Sequence, residues 1–344
     1  MAKKKDEETE ETKDDFFNST IVKKMQKDYG ADYCVPLSEI RDEERGIIKT
    51  FPSLDIAMNG GVSMGQTMQI TAKPKVGKTS LALCISSFFQ QQFKGKVFYY
   101  KVEGRLSSNL TDGIEGLDKE NFFVIQSTKE KIMSGVDFLT ALENNMRNFP
   151  DCVHILDSVG SLTGQLEMSG TMEDKQMGEL GAMLSKFCHR NSSVVAVTNS
   201  LLIGINQVRA NINPGARGGT KSPGGYAWEH QIDTELKLSI AYPTGKITTS
   251  DGNEIGHNID VLVQTTNLGP PKKHAILPLL YGKGIPYYMD VINLAEEFSI
   301  VEKGGSWYTF GENKWQGKQK LIDAVVNDSE LFSELKSQLD EILT

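Results

Sequence analysis

Apolar positions recur along this chain with two periods. Between Phe16 and Gly30, Phe17, Ile21 and Met25 return every four residues, which predicts a helix that stops at Gly30. From about Ile48 to Gly284, short apolar runs alternate with helical stretches. Met68–Ala72, Lys96–Val102, Val153–Asp157 and Leu201–Val208 read as buried strands, and Thr79–Gln91 reads as a helix. Such alternation predicts a parallel sheet with right-handed crossovers. Glu235–Ala241, Asn258–Thr266 and Ala275–Leu280 follow at closer spacing and predict an antiparallel extension. Val194–Thr198 reads locally as strand, yet it continues a helical pattern begun at Gly178, so both readings stay open. Beyond Pro286, Tyr287–Lys303 and Gln316–Leu343 read as helices, with Trp307–Phe310 as a short hairpin arm. The pattern divides the chain into a charged tail expected to be disordered (1–15), a helix with its linker (16–47), an α/β core (48–284) and a small α+β module (285–344).

Composition changes this picture little. Of 344 residues, 39% are apolar, enough for a sizeable core. The net charge of −8 argues against a uniformly basic nucleic-acid binder. The acids, however, concentrate at the ends, and a near-neutral body can still hold a local basic groove. Cys34, Cys84, Cys152 and Cys188 form no C-x-x-C pair, which argues against a disulfide framework or a zinc site. The charged start and the lack of a long apolar run predict a soluble, intracellular protein with no membrane partner.

Candidate chemistry begins at the end of the strand Met68–Ala72. The segment Ala72–Thr79 joins that strand to a helix and ends in Gly77-Lys78-Thr79, a phosphate-loop pattern with Ala72 where the first glycine is usual. Loop N–H groups of Lys75, Val76 and Gly77, with Lys78, Thr79 and Ser80 at the positive helix end, suit a triphosphate. Lys78 is expected to reach the outer phosphates and Thr79 to ligate Mg²⁺, giving ATP and Mg²⁺ as cofactors. Asp157 ends an apolar strand, where it is expected to hold Mg²⁺ through water. Glu103 follows another strand and is expected to activate the attacking water. Gln207 ends a third and is expected to sense the γ-phosphate. Taken singly, these carboxylates also read as solvated loop residues, and Gln207 as an ordinary strand terminus.

The stretch Val208–Pro223 has no regular pattern, clustered Gly and Pro, and three basic residues, Arg209, Arg217 and Lys221. Mobile backbone with Arg and Lys suits a phosphodiester chain; a plain surface loop is the alternative. Lys303, Lys314, Lys318 and Lys320, interleaved with Trp307, Tyr308 and Trp315, suit duplex DNA or, equally, a small core ringed by solvated lysines.

With its phosphate loop, Glu103, Asp157 and Gln207 in this order, the chain resembles the RecA recombinase family. Likeness extends to Ile47–Gly65, Met168–Leu180, Ile205–Arg209 with the glycine-rich run to Gly225, Tyr281–Ile285 and Glu302–Lys318, so it spans about residues 20–343. Length and charged start suit a phage-borne UvsX-type member as well as a divergent bacterial one. The resemblance implies a RecA-like ATPase core with a mostly parallel central sheet. It implies an ATP-dependent strand-exchange recombinase, a homo-oligomeric helical filament on single-stranded DNA that pairs with double-stranded DNA. Loader or single-strand-binding proteins and a cytoplasmic setting, in a bacterium or a phage-infected host, come with it. Tyr281 then belongs to the nucleotide site. Met177 and Ile212 match side chains wedged between bases, and Ser185, Gly224 and Gly225 match backbone-phosphate contacts. The segment Phe17–Gly30 matches a docking helix.

Several positions depart from the family pattern. Two basic residues on the helix after the first DNA loop fall at Ala182 and His189, with Arg190 adjacent. The paired lysines that reach a neighbour's ATP fall at Thr265 and Asn267, with Lys272 and Lys273 close by, and the adenine-stacking aromatic falls at Leu110. A motor or regulatory ATPase without strand exchange is the rival reading, and a filament that keeps ATP as structural glue is a further one. Glu103 argues against the latter. No acceptor-binding or lid segment supports a small-molecule kinase.

Overall fold

The computed structural model describes residues 18–35, 46–104, 106–171, 178–210, 220–221, 223–249 and 251–343. They fall into two compact units, Met1–Arg45 and Gly46–Thr344. In the first, helix α1 (Thr20–Tyr29) opens on Ser19, whose hydroxyl accepts from the Val22 N–H at 3.3 Å, and closes at Gly30 with φ 105°. The expected start at Phe16 and Phe17 lies outside the described residues.

The second unit is built on a nine-stranded sheet. Its strands are β1 (Gln66–Ala72), β2 (Val97–Lys101), β3 (Phe122–Ile125), β4 (Val153–Asp157), β5 (Leu201–Gln207), β6 (Thr234–Ile240), β7 (Lys246–Thr248), β8 (Glu254–Thr265) and β9 (His274–Leu280). Six run parallel in the order β3-β2-β4-β5-β1-β6, and β8 then pairs antiparallel with β6, β7 and β9. Side chains alternate between two cores, as the strand period of two requires. Tyr99, Ile155 and Ile203 face helix α2 (Lys78–Phe93); Phe98, Tyr100, Leu156 and Leu202 join the core that contains Leu142 of α3 (Gly135–Asn148) and Leu184 of α4 (Glu179–Asn191). Burial on both faces is what lets these strands read as continuous apolar runs.

Register fixes the site. Ala72 is opposite Gln207, Ile205 opposite Asp157, and Asp157 opposite Lys101. The carboxyl ends of β1, β5, β4 and β2 therefore share one edge, where parallel sheets present ligand-binding groups.

The structure corrects three expectations and decides one left open. The strand expected at Glu235–Ala241 is β6, and it pairs parallel with β1, so the antiparallel extension begins only at the next strand. The preceding helix α5 (Gly225–Gln231) carries the chain back to the start of β1, where the Asp233 carboxylate accepts the Thr67 N–H at 2.9 Å. Val194–Val197 is a helical turn, closed by the Thr198 hydroxyl donating to the Val194 carbonyl at 2.8 Å. Helix α6 (Tyr287–Glu297) stops at the left-handed Ser299, φ 59°, freeing Glu302–Gly304 to form a strand with Trp307–Phe310 and Asn313–Gln316. The last helix is two, α7 (Lys318–Asn327) and α8 (Ser329–Leu343), because the Asp328 carboxylate accepts the Glu330 and Leu331 N–H groups and caps the second. β3 and α3 were not anticipated, although Ser134 and Asp137 carry the capping-box signature of α3.

α6, the three-stranded sheet, α7 and α8 enclose a third core around Ile292, Val301, Leu321 and Leu335. Tyr287 packs against both this core and the one beneath α2.

Candidate active site

The loop between β1 and α2 holds two residues in left-handed conformations, Lys75 at φ 64° and Gly77 at φ 117°. Gly77 has no alternative: a Cβ there would lie 2.7 Å from Ile259 Cδ1. Lys78 is buried and folds back over the loop, donating to the carbonyls of Lys73 at 3.1 Å and Ala72 at 3.3 Å. Burial lowers its pKa, against the charges of Asp157 and Glu103. Ala72 is the last residue of β1, so the loop starts directly from the sheet.

Thr79 and Asp157 are in contact. The Thr79 hydroxyl donates to Asp157 Oδ2 at 2.9 Å, and the Tyr99 hydroxyl donates to the same oxygen at 2.6 Å. Burial pushes the Asp157 carboxyl upward, opposed by these two hydrogen bonds. The pair brings a hydroxyl and a carboxylate oxygen together, the hard oxygen donors that Mg²⁺ takes directly or through its waters. A buried carboxylate whose charge is incompletely matched also favours a cation beside it.

Glu103 is wired to the ends of β4 and β5. Its Oε1 accepts from Ser158 Oγ at 2.5 Å, Ser161 Oγ at 2.9 Å and Gln207 Nε2 at 3.1 Å. The Glu103 and Val102 N–H groups donate to the Asp157 carbonyl, which fixes this turn against β4. Tyr281 is half exposed just past β9, and its hydroxyl donates to Glu254 at 2.9 Å. Leu110 packs against the core. Ser80 is buried on the first turn of α2.

Gln207 also begins the long basic loop. Its neighbour Asn206 donates to the Pro223 carbonyl at 2.6 Å, so one side chain ties the far end of that loop to its root. Between them, Arg209–Ala210 and Thr220–Lys221 pair as a two-stranded stem. Arg209 and Lys221 are opposite each other in that stem. Gly224 and Gly225 follow at φ 127° and 75° and open α5. Gly225 approaches Gly181 on α4 closely, one turn from the half-buried Ser185. Met177, Ile212 and Arg217 lie outside the described residues. The segment ahead of α4, which the resemblance matches to the family's first DNA loop, is also tied: Glu179, at the start of α4, accepts the Leu166 and Glu167 N–H groups at 3.1 Å.

Of the neighbouring basic residues, Arg190 and Lys273 are engaged elsewhere. Arg190 grips Glu143 through two nitrogens at 3.0 and 2.7 Å, which leaves His189 exposed beside it. Lys273 donates to Asn59 Oδ1 at 2.5 Å, and Lys272 sits at φ 71°. Tyr99, Ser158, Ser161, Asn206 and Glu179 were not anticipated. No local spacing marks them, because each acts across a loop or between strands.

Comparison with known proteins bears on the whole chain. A family model described as the RecA N-terminal domain matches residues 17–286, and one described as the RecA C-terminal domain matches residues 289–344. Protein RecA of Thermus thermophilus is 29% identical over 325 residues, 93% of this chain and 92% of that protein. Protein RecA of Aquifex pyrophilus is 27% identical over 324 residues, covering 92% and 89%. Protein RecA of Acholeplasma laidlawii is 27% identical over 325 residues, covering 92% and 94%.

Proposed function

The chain belongs to the RecA family of recombinases, DNA-dependent ATPases that exchange strands on DNA as helical filaments, and we propose that it couples hydrolysis to DNA through the Glu103–Gln207–Asn206 chain. In this reading the N–H groups of residues 75–80 and the Lys78 ammonium hold the phosphates of ATP. Thr79 and Asp157 would hold Mg²⁺, whose positive charge would offset that of the phosphates. Tyr281 flanks the base.

Glu103 is the general base. A proton passes from the attacking water to its carboxylate as the water oxygen bonds to the γ-phosphorus and the bond to the ADP oxygen breaks. Three hydrogen bonds now meet Glu103 Oε1, and hydrogen bonds to the charged form make a carboxylate a poorer base. Gln207, donating to a γ-phosphate oxygen instead, would relieve one of them. The same movement pulls on the strand end that carries Asn206, and through Asn206 on Pro223. One step thus primes the base and reshapes the loop bearing Arg209, Ile212, Arg217 and Lys221. Met177, Ser185, Gly224 and Gly225 complete the DNA face. Loader or single-strand-binding proteins are further partners, in the cytoplasm of a bacterium or a phage-infected host. No helix among the described residues is long and apolar enough to cross a membrane.

The Gln207–Glu103 bond carries this reading. Its test is ATP hydrolysis with and without single-stranded DNA in Gln207→Ala. ATP binding persists and DNA stimulation disappears; unaltered stimulation overturns the coupling. Wild-type hydrolysis indifferent to DNA would return the motor or regulatory reading.

A further inference from the structure

We infer that His257 is a positioning residue of the nucleotide site, holding the phosphate loop open-handed by its Val76 carbonyl and linking that grip to Tyr281. His257 lies on β8, 5% exposed, between Lys246 of β7 and Leu279 of β9 in register. Its Nε2 is 3.1 Å from the Val76 carbonyl oxygen, and its Nδ1 is 3.3 Å from the Tyr281 hydroxyl. Val76 stands between the two left-handed residues of the loop, Lys75 and Gly77. In such a nest the N–H groups converge on an anion while the carbonyls turn outward. A donor that holds one carbonyl outward keeps the N–H groups aimed inward before any ligand arrives.

Counting protons sharpens the assignment. The Val76 carbonyl only accepts, so Nε2 must donate. The Tyr281 hydroxyl gives its one proton to Glu254 at 2.9 Å, so its oxygen accepts from Nδ1. Glu254 is ionised at neutral pH, because hydrogen bonds from Lys246 and Tyr281 hold its carboxyl below the usual range. All three contacts are satisfied together when both ring nitrogens donate, so His257 grips the loop and Tyr281 at once.

The proposal rests on the loop's binding ATP, and the experiment separates the two. MgATP affinity is measured for wild type, His257→Leu and His257→Gln, whose amide nitrogen retains a donor at the Nε2 position. His257→Leu binds MgATP about ten-fold more weakly, with kcat at saturating ATP and single-stranded DNA within roughly two-fold of wild type. His257→Gln recovers most of that loss. Equal binding by His257→Leu and wild type overturns the proposal, as does equal weakness of the two variants. If His257→Leu does not fold, His257→Asn, whose shorter amide cannot reach the Val76 carbonyl, takes its place against His257→Gln. Absence of saturable binding by wild type overturns the reading of the loop itself, and the role of His257 with it.

Discussion

Two pairs of carboxylates are set into this molecule, and they are held in opposite ways. Asp157 and Glu103 lie at the sheet edge beside the phosphate loop. The donors that meet them are side chains: Thr79, Tyr99, Ser158, Ser161 and Gln207. Asp55 and Asp290 lie where α6 meets the core, around the short helix Pro52–Met58. Each of these accepts a backbone N–H together with the hydroxyl of the same residue. Thr50 serves Asp55 at 3.0 and 2.6 Å, and Ser53 serves Asp290 at 3.0 and 2.5 Å. A backbone donor cannot leave without undoing the chain around it, whereas a side-chain donor can rotate to a ligand. The first pair is built to exchange partners, and the second to keep them.

The largest expected effect breaks or keeps this contrast at Glu103. Glu103→Gln preserves shape and most hydrogen bonds but cannot take a proton. Hydrolysis should fall by about 10²–10⁴-fold, while ATP affinity changes only a few-fold. Single-turnover hydrolysis and equilibrium ATP binding check this. A rate within about ten-fold of wild type would make Glu103 a structural acid like Asp55 and erase the distinction.

Asp290 provides the next test, with the opposite signature. Its side chain is fully buried, and desolvation lifts its carboxyl from the ordinary 3.8 to about 6, against the hydrogen bonds from Ser53. A raised folded-state pKa means that the folded protein binds the proton more tightly than the unfolded chain. The stability this contributes is present below pH 3.8 and lost as pH rises through about 6. The shift of about two units corresponds to about 3 kcal/mol as an order of magnitude. Asp290→Asn should therefore match wild type least well at low pH and gain on it by up to that amount at neutral pH. Denaturant unfolding of both proteins at a series of pH values measures the difference. Asp55, also lifted to about 6, remains in both and largely cancels. A difference that does not move with pH would leave Asp290 as a plain capping residue.

The contrast also marks how far the sequence can be read. Strand ends are local: an apolar run closing in Asp157 or Gln207 announces itself, and so does Gly77-Lys78-Thr79 at a helix start. Parallel register then brings such ends to one edge, which alternation of strands and helices already implies. What is not local is who meets whom across that edge. Nothing in the spacing joins Ser158 and Ser161 to Glu103, or Asn206 to Pro223. Nor does the position of Arg190 beside His189 in the chain announce the bidentate bond that commits it to Glu143 on another helix. The direction of β6 was misjudged for a similar reason. Short connections favour antiparallel neighbours, but here helix α5 fits inside the connection and returns the chain to the start of β1. Val194–Val197 has β-branched residues that suit a strand, and the sheet position beside β4 is already taken by β5.

The smallest effect concerns a fifth acid, the partly buried Glu296, which combines features of both pairs. It is met by side chains only in part of its role as an anchor: Lys303 at 3.0 Å and Lys318 at 2.7 Å converge on it. Burial pushes its carboxyl up, and these two hydrogen bonds outweigh that and hold it below the ordinary range. Lys303 also lies over the Tyr308 ring, and Lys314 over Trp307. If the lysines of this module serve duplex DNA, Glu296 competes with phosphate for two of them. Glu296→Gln should then cost no more than about 1 kcal/mol, because the lysine partners are largely solvated. Duplex affinity should rise roughly two- to five-fold, with a salt dependence steeper by up to about two released ions. Binding isotherms at several salt concentrations, beside a melting curve, read both quantities. Unchanged duplex binding with a stability loss well above that cost would assign the lysines to the module's own core, and Glu296 would join Asp55 and Asp290 among the acids that keep their partners.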